Sequence, residues 1–169
     1  MMCRDGLLNE TKLTYRTEVC RADRDKVGQL VAATGFFSAE EIAIARELVE
    51  ERLKQGESSG YFFLFAEEAK RLVAYACFGP IPGTLHSFDL YWIAVHPAGQ
   101  GRGLGRSLLE AAEQTMVKKG AVRLYVDTSS RPQYEPTRRF YKACGYREAA
   151  FLEDFYAPQD GKVIFVKAL

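Results

Sequence analysis

Residues 13–19, Leu-Thr-Tyr-Arg-Thr-Glu-Val, alternate apolar and polar positions, the period of a half-buried strand, and predict a first strand behind a loose tail over residues 1–11. Val27, Leu30 and Val31 then fall three and four apart, which predicts a helix, and Gly35 stops it. Ser38-Ala39-Glu40-Glu41 has the spacing of a capping box, in which the serine accepts from a first-turn N–H and the glutamate reaches back. The helix it opens runs to about Gln55, with Ile42, Ala45, Val49 and Leu53 as its apolar stripe and Lys54-Gln55-Gly56 as its stop.

From Gly60 the pattern shortens to aromatic and β-branched runs. Tyr61–Ala66 and Leu72–Gly79 read as a hairpin of buried strands around the polar residues 67–71. Pro80, Pro82 and Gly83 mark a loop, and Phe88–Val95 is apolar throughout except for Asp89, the pattern of a central strand. Leu104, Leu108, Ala111, Ala112 and Thr115 return to helical spacing, ending at Lys118-Lys119-Gly120. Val122–Val126 reads as a strand, Thr137–Cys144 as a helix, and Tyr146–Tyr156 with Lys162–Val166 as a closing pair turning at Asp160-Gly161. The order βααβββαβαββ predicts an α/β or α+β fold, a mixed sheet with helices on both sides, in one domain spanning residues 1–169.

Composition narrows the function classes. Twenty-three Lys and Arg against 22 Asp and Glu leave a net charge of +1, so no overall field attracts nucleic acid. The apolar runs are far below the roughly 20 residues of a membrane span, and no apolar h-region follows the amino terminus. Cys3, Cys20, Cys77 and Cys144 lack the spacing of a zinc or dithiol motif; reduced thiols in a cytoplasm, and no metal, are expected.

The chemistry concentrates in Gln100-Gly101-Arg102-Gly103-Leu104-Gly105-Arg106-Ser107, where a buried strand passes into a helix. Backbone amides in such a turn, with the helix dipole behind them, make an anion site suited to a phosphate or pyrophosphate. The P-loop pattern fails, because Arg106 follows Gly105 and Gln100 stands where its first glycine belongs. The dinucleotide pattern fails too, because Gly101-x-Gly103-x-Gly105 is one residue short.

The run from Gln100 to Gly105 resembles the acetyl-CoA-binding motif Q/R-x-x-G-x-G/A of the GNAT acetyltransferase superfamily. Phe140-Tyr141-Lys142-Ala143-Cys144-Gly145-Tyr146 resembles that superfamily's second signature, about forty residues on, and the element order over residues 13–168 matches as well. The resemblance implies a mostly antiparallel sheet of about seven strands flanked by about four helices. It implies acetyl-CoA as co-substrate, its pyrophosphate held by the backbone of Gln100, Gly101, Arg102, Gly103, Leu104 and Gly105, with Arg106 and Ser107 at the helix start. It implies that Ile93, Ala94 and Val95 bond the pantetheine arm, and that a splay between their strand and Val122–Val126 gives the arm its slot. The family often has an asparagine seven residues before the second-motif tyrosine; Tyr134 stands there, with Pro136 just beyond.

Acyl transfer to an amine needs a base for the ammonium proton, an acid for the departing thiolate and a donor for the oxyanion. Asp89, the one charge in its strand, lies eleven residues before Gln100, where the histone-acetylating branch of the family carries a glutamate; it is the first choice of base. His96 and His86 are the alternatives. Tyr141 is the acid that the resemblance implies, and the Val95 N–H the oxyanion donor. Phe36 and Phe37 either line an acceptor pocket or staple a helix start, and the acidic helix after them either suits a cationic amine or is a solvated face. The expectation is an N-acetyltransferase acting by direct attack on a primary amine of a small molecule or protein, as a monomer or homodimer with no nucleic-acid or membrane partner. A catalytically silent CoA-binding regulatory module is the alternative.

Overall fold

The structure, a computed structural model, describes residues 12–169; the expected tail, and Cys3 within it, lie outside the described residues. The chain runs β1 (Leu13–Arg16), α1 (Asp23–Ala33), α2 (Ala39–Gln55), β2 (Phe62–Glu68), β3 (Arg71–Pro80), β4 (Ser87–Val95), α3 (Leu104–Lys118), β5 (Arg123–Ser129), α4 (Glu135–Ala143), β6 (Arg147–Ala157) and β7 (Asp160–Ala168). The strands form one sheet in the order β1-β2-β3-β4-β5-β7-β6, antiparallel everywhere except between β4 and β5.

Two apolar clusters sandwich the sheet. On one face α1 and α2 bury Val27, Leu30, Val31, Ala45 and Val49 against Phe63, Phe65 and Tyr75. On the other, Leu104, Leu108, Leu109 and Met116 of α3 and Tyr141 of α4 cover Phe78, Phe88, Leu90, Leu124 and Phe165. The capping box opens α2 as expected: Ser38 Oγ accepts from the Glu41 N–H at 3.2 Å, and Glu41 Oε2 accepts from the Ser38 N–H at 2.8 Å.

Three details differ from the pattern reading. β1 ends at Arg16 and does not reach Val19, because Arg16 turns to bind Asp23, which is fully buried, through two 2.9 Å bonds, and Glu67 at 2.8 Å. Leu53 is 38% exposed, since in the last turn of α2 Arg52 faces the protein, its guanidinium 5.0 Å from the Phe62 ring centre. The β6–β7 turn falls at Pro158-Gln159, with Gln159 at φ +68°, and Asp160 is already in β7, opposite Ala157. Its carboxylate is turned inward to Ser129 Oγ and, at 3.0 Å, to Arg131 Nε, which draws the residue out of the turn.

Candidate active site

The site begins at an irregularity of β4. Cys77 pairs with Trp92 but the next residue, Phe78, pairs with Leu90, so Tyr91 is an extra residue, a β-bulge. The bulge resets which side chains face which core. Phe88 and Leu90 point to the α3 and α4 face, and so do Ile93 and Val95, whereas Tyr91, Trp92 and Ala94 pack on the α1 and α2 face. By the same alternation Asp89 lies on the α1 and α2 face.

β4 also parts from β5. Their parallel pairing covers Ser87, Phe88 and Asp89 opposite Arg123, Leu124 and Tyr125, and then stops. β5 goes on pairing with β7 as far as Ser129 opposite Lys162, so a gap opens between Leu90–Val95 and the end of β5. The His96 N–H donates to the Val73 carbonyl of the β3 side at 2.8 Å. In an extended strand this sends the N–H and C=O of Val95, and of Ile93, into the gap and those of Ala94 towards β3. Of the three residues expected to face a slot with their main chain, two do and Ala94 does not. Gln100 Nε2 donates to the Val95 carbonyl at 3.2 Å, fastening the glycine turn to the strand end.

The glycine turn closes one end of the gap. Gly101 and Gly103 have φ of +75° and +77°, a left-handed backbone that favours glycine, and Gly103 is the N-cap of α3 without a side-chain cap. Among the described residues the N–H groups of residues 101–106 donate to no backbone carbonyl, while that of Ser107 reaches Gly103. The side chains look elsewhere: Arg102 pairs with Glu68 at 2.9 Å, Arg106 donates to the Ala143 carbonyl at 3.0 Å, and Ser107 shares a 2.7 Å bond with Tyr15. Unpaired amides at the start of a long helix, beside an open strand edge, fit a pyrophosphate followed by an extended amide-bearing arm.

Asp89 holds the last paired position of β4 against β5, where the gap opens, and Tyr141 belongs to the cluster on the opposite, α3 and α4, face of the sheet. Burial, then the charge of Asp127, push the Asp89 carboxyl up to about 6, with Lys162 opposing. Tyr141 is 4% exposed, packed against Phe140, Tyr146 and Phe165; burial holds its phenol well above the ordinary range, and no hydrogen bond contributes. The alternative bases are engaged otherwise. His96 Nδ1 accepts from the Ala98 N–H at 3.2 Å, and His86 Nδ1 lies 3.2 Å from the Gly120 carbonyl, where β4 begins.

Phe37 packs into the core against Trp92, with ring centres 5.0 Å apart, whereas Phe36 is 40% exposed and meets Tyr134 edge-on at 5.0 Å. Three of the six acidic residues of this helical region form ion pairs, Glu50 with Arg24, Glu51 with Lys54, and Glu57 with Arg52 and Lys119, and Glu41 caps its own helix. Pattern reading missed Asp127 and Lys162, an ion pair on the adjoining strands, and Thr128, whose buried hydroxyl has no partner among the described residues. Only the pairing of β5 with β7 brings them here. Among the described residues no group of His, Cys, Asp and Glu is arranged to hold a metal ion, and no helix is long and apolar enough to cross a membrane.

Comparison with known proteins gives the family and the fold. The crystal structure of a GNAT-family protein from Desulfovibrio desulfuricans superposes with a TM-score of 0.92 at 41% identity, covering 93% of this chain and 99% of that one. The PaiA N-acetyltransferase of Thermoplasma acidophilum, solved in complex with coenzyme A, shares the fold at a TM-score of 0.71 and 20% identity, over 94% of this chain and 99% of that one. In sequence, the ribosomal protein bS18-alanine N-acetyltransferase of Escherichia coli K12 is 31% identical over 87 residues, 52% of this chain. The chain spans 57% of the length of the curated relatives it matches. The family model of the acetyltransferase (GNAT) family matches residues 29–146, and the chain belongs to that family.

Proposed function

We propose that this chain is an acetyl-CoA-dependent N-acetyltransferase that acetylates a primary amine, of a small molecule or a protein, by direct attack. The observation that carries this reading is the gap between β4 and β5, with unpaired amides at one end and Asp89 at the last paired position where it opens. Acetyl-CoA supplies the acetyl group activated as a thioester. The N–H groups of residues 101–106 hold the pyrophosphate, and the main chain of Ile93 and Val95 orients the pantetheine arm, as hydrogen bonds to a strand edge do. Asp89 accepts the proton of the acceptor ammonium, which makes the amine a nucleophile, and the Val95 N–H faces the acyl oxygen. The Tyr141 hydroxyl donates to the departing sulfur. A route through an acyl-cysteine is disfavoured: burial raises the Cys77 and Cys144 thiols, away from the reactive thiolate. A cytoplasmic location, expected for reduced thiols, suits the three free cysteines among the described residues.

The cofactor is tested by thermal shift with acetyl-CoA, CoA, ATP and NAD in turn. A ligand at 100 times its Kd adds about 2.7 kcal/mol, which for a chain of this size raises Tm by about 5–10 °C. Stabilisation by the two CoA species alone is expected; a stronger response to ATP or NAD would overturn the cofactor assignment, and CoA binding without thiol release from any amine would leave a regulatory module.

The base has its own signature. A carboxyl titrating near 6 is protonated, and useless as a base, below that pH, so kcat/KM is expected to rise through about pH 6 as Asp89 ionises. Asp89→Asn should remove that limb and lower kcat/KM by about 100-fold or more. A pH–rate profile of the variant that keeps the limb would assign it to another group.

A further inference from the structure

The acceptor side of the gap carries its own chemistry. Asp89, Asp127 and Asp160 all belong to this region, but two of them are neutralised: Lys162 pairs with Asp127, and Arg131 with Asp160 at 3.0 Å. Among the described residues Asp89 alone of the three has no ion pair, Lys162 acting on it only from a longer range. Around these carboxylates stand aromatic rings from three separate segments. Phe36, ahead of α2, meets Tyr134 of the β5–α4 loop, and Arg131 lies 5.6 Å over the Tyr134 ring. Tyr156 and Phe155 of β6 meet edge-on at 5.0 Å, and Lys162 reaches 4.7 Å from the Phe155 ring. Tyr156 lies close enough to Asp127, Asp160 and Tyr134 that their charges and hydroxyl raise its phenol, after burial. Phe36, Phe155 and Tyr156 are 40%, 53% and 49% exposed, more apolar ring surface than an isolated surface residue leaves to water.

One carboxylate without an ion pair of its own, within a rim of exposed rings, selects a particular amine. A polycation such as an aminoglycoside or polyamine gains from several free carboxylates grouped together, and of these three the other two are already paired. A lone ammonium beside an aromatic group satisfies both features: its charge goes to Asp89 and its ring to the rim, where ring contacts and cation–π attraction reward it. We infer that the acceptor is an arylalkylamine, a primary amine one or two carbons from an aromatic ring, seated between Asp89 and the rim formed by Phe36, Tyr134, Phe155 and Tyr156. The inference rests on the N-acetyltransferase reading and names the substrate class of that same site. The ammonium gives one proton to Asp89, the amine nitrogen forms the new bond to the acetyl carbon, the carbon–sulfur bond breaks, and the second proton that the nitrogen sheds is balanced by the one the departing sulfur takes up to leave as the thiol.

The test measures thiol release from acetyl-CoA with 2-phenylethylamine, n-propylamine and spermidine as acceptors. Phenylethylamine should exceed each of the other two in kcat/KM by about tenfold or more, the discrimination an apolar pocket gives for a group of this size. Phe36→Ala and Tyr156→Ala should each bring the ratio of phenylethylamine to n-propylamine down several-fold, a change that a general loss of folded protein cannot produce. A preference for spermidine, or ratios unmoved by both substitutions, would overturn the inference. If no amine releases thiol, it is the transfer reaction that fails, and calorimetric titration of the same amines into CoA-saturated protein decides the specificity. Tighter binding of phenylethylamine than spermidine upholds the aromatic site, and the reverse overturns it.

Discussion

Gly103→Val is expected to weaken acetyl-CoA binding by about 100-fold or more in a protein that still folds. Gly103 holds φ at +77°, and a Cβ added there meets nothing within 4 Å, so the change leaves the core intact. The cost to the fold is that of a side chain in the left-handed region, about 1–2 kcal/mol and more for a β-branched one, against a typical domain stability of about 5–15 kcal/mol. The cost to binding is larger, because the open space above Gly103 is where an anion has to approach the N–H groups of residues 101–106. Hydrogen bonds to a charged group contribute about 1.5–3 kcal/mol each, so losing two is worth about 3–6 kcal/mol. Relaxation of the turn towards negative φ would also swing the amides away from their common focus. Calorimetric titration of acetyl-CoA, with Gly103→Ala as the milder step of a graded pair, measures the effect. An unchanged Kd in folded Gly103→Val would remove this turn as the pyrophosphate site.

The glycine turn was open to sequence reading because its function lies in the backbone, and backbone freedom is written in the positions of glycines. Helix ends were legible for a related reason: Ser38 with Glu41, and Gly35, Gly56 and Gly120 past the helix ends, are local signals that need no partner elsewhere. Misplaced boundaries were those set by distant groups. Arg16 ends β1 because Asp23 and Glu67 hold it, and Asp160 leaves its turn because Ser129 and Arg131, some thirty residues earlier, take its carboxylate. The bulge at Tyr91 left no mark in the pattern, since β4 is apolar on both sides, yet it places Trp92 on the acceptor face. The aromatic rim was equally hidden. Phe36, Tyr134 and Tyr156 lie more than twenty residues apart in pairs and converge only because the β5–α4 loop is pinned to the β6–β7 hairpin.

Tyr141→Phe is expected to lower kcat by about 100-fold or more with acetyl-CoA affinity held within a few-fold. The burial of the ring sharpens what its hydroxyl can do. A phenol lifted well above its ordinary range cannot hand a proton outright to a free thiolate, whose conjugate acid titrates near 8.5. It can donate a strong hydrogen bond to sulfur as negative charge develops, and in surroundings of low dielectric such a bond is worth most in the transition state. Phenylalanine keeps the contacts with Phe140, Tyr146 and Phe165, so packing and cofactor binding change little and the loss appears in kcat. The buried phenol also makes a second, independent forecast: the wild-type rate should show no alkaline fall near pH 10, because Tyr141 stays protonated beyond it. Steady-state rates of both proteins from pH 6 to 10, with thiol release as the readout, test the two statements together. An unchanged kcat in Tyr141→Phe would take the hydroxyl out of the role assigned to it, and an alkaline limb near 10 in the wild type that the variant lacks would overturn the forecast that its phenol stays protonated there.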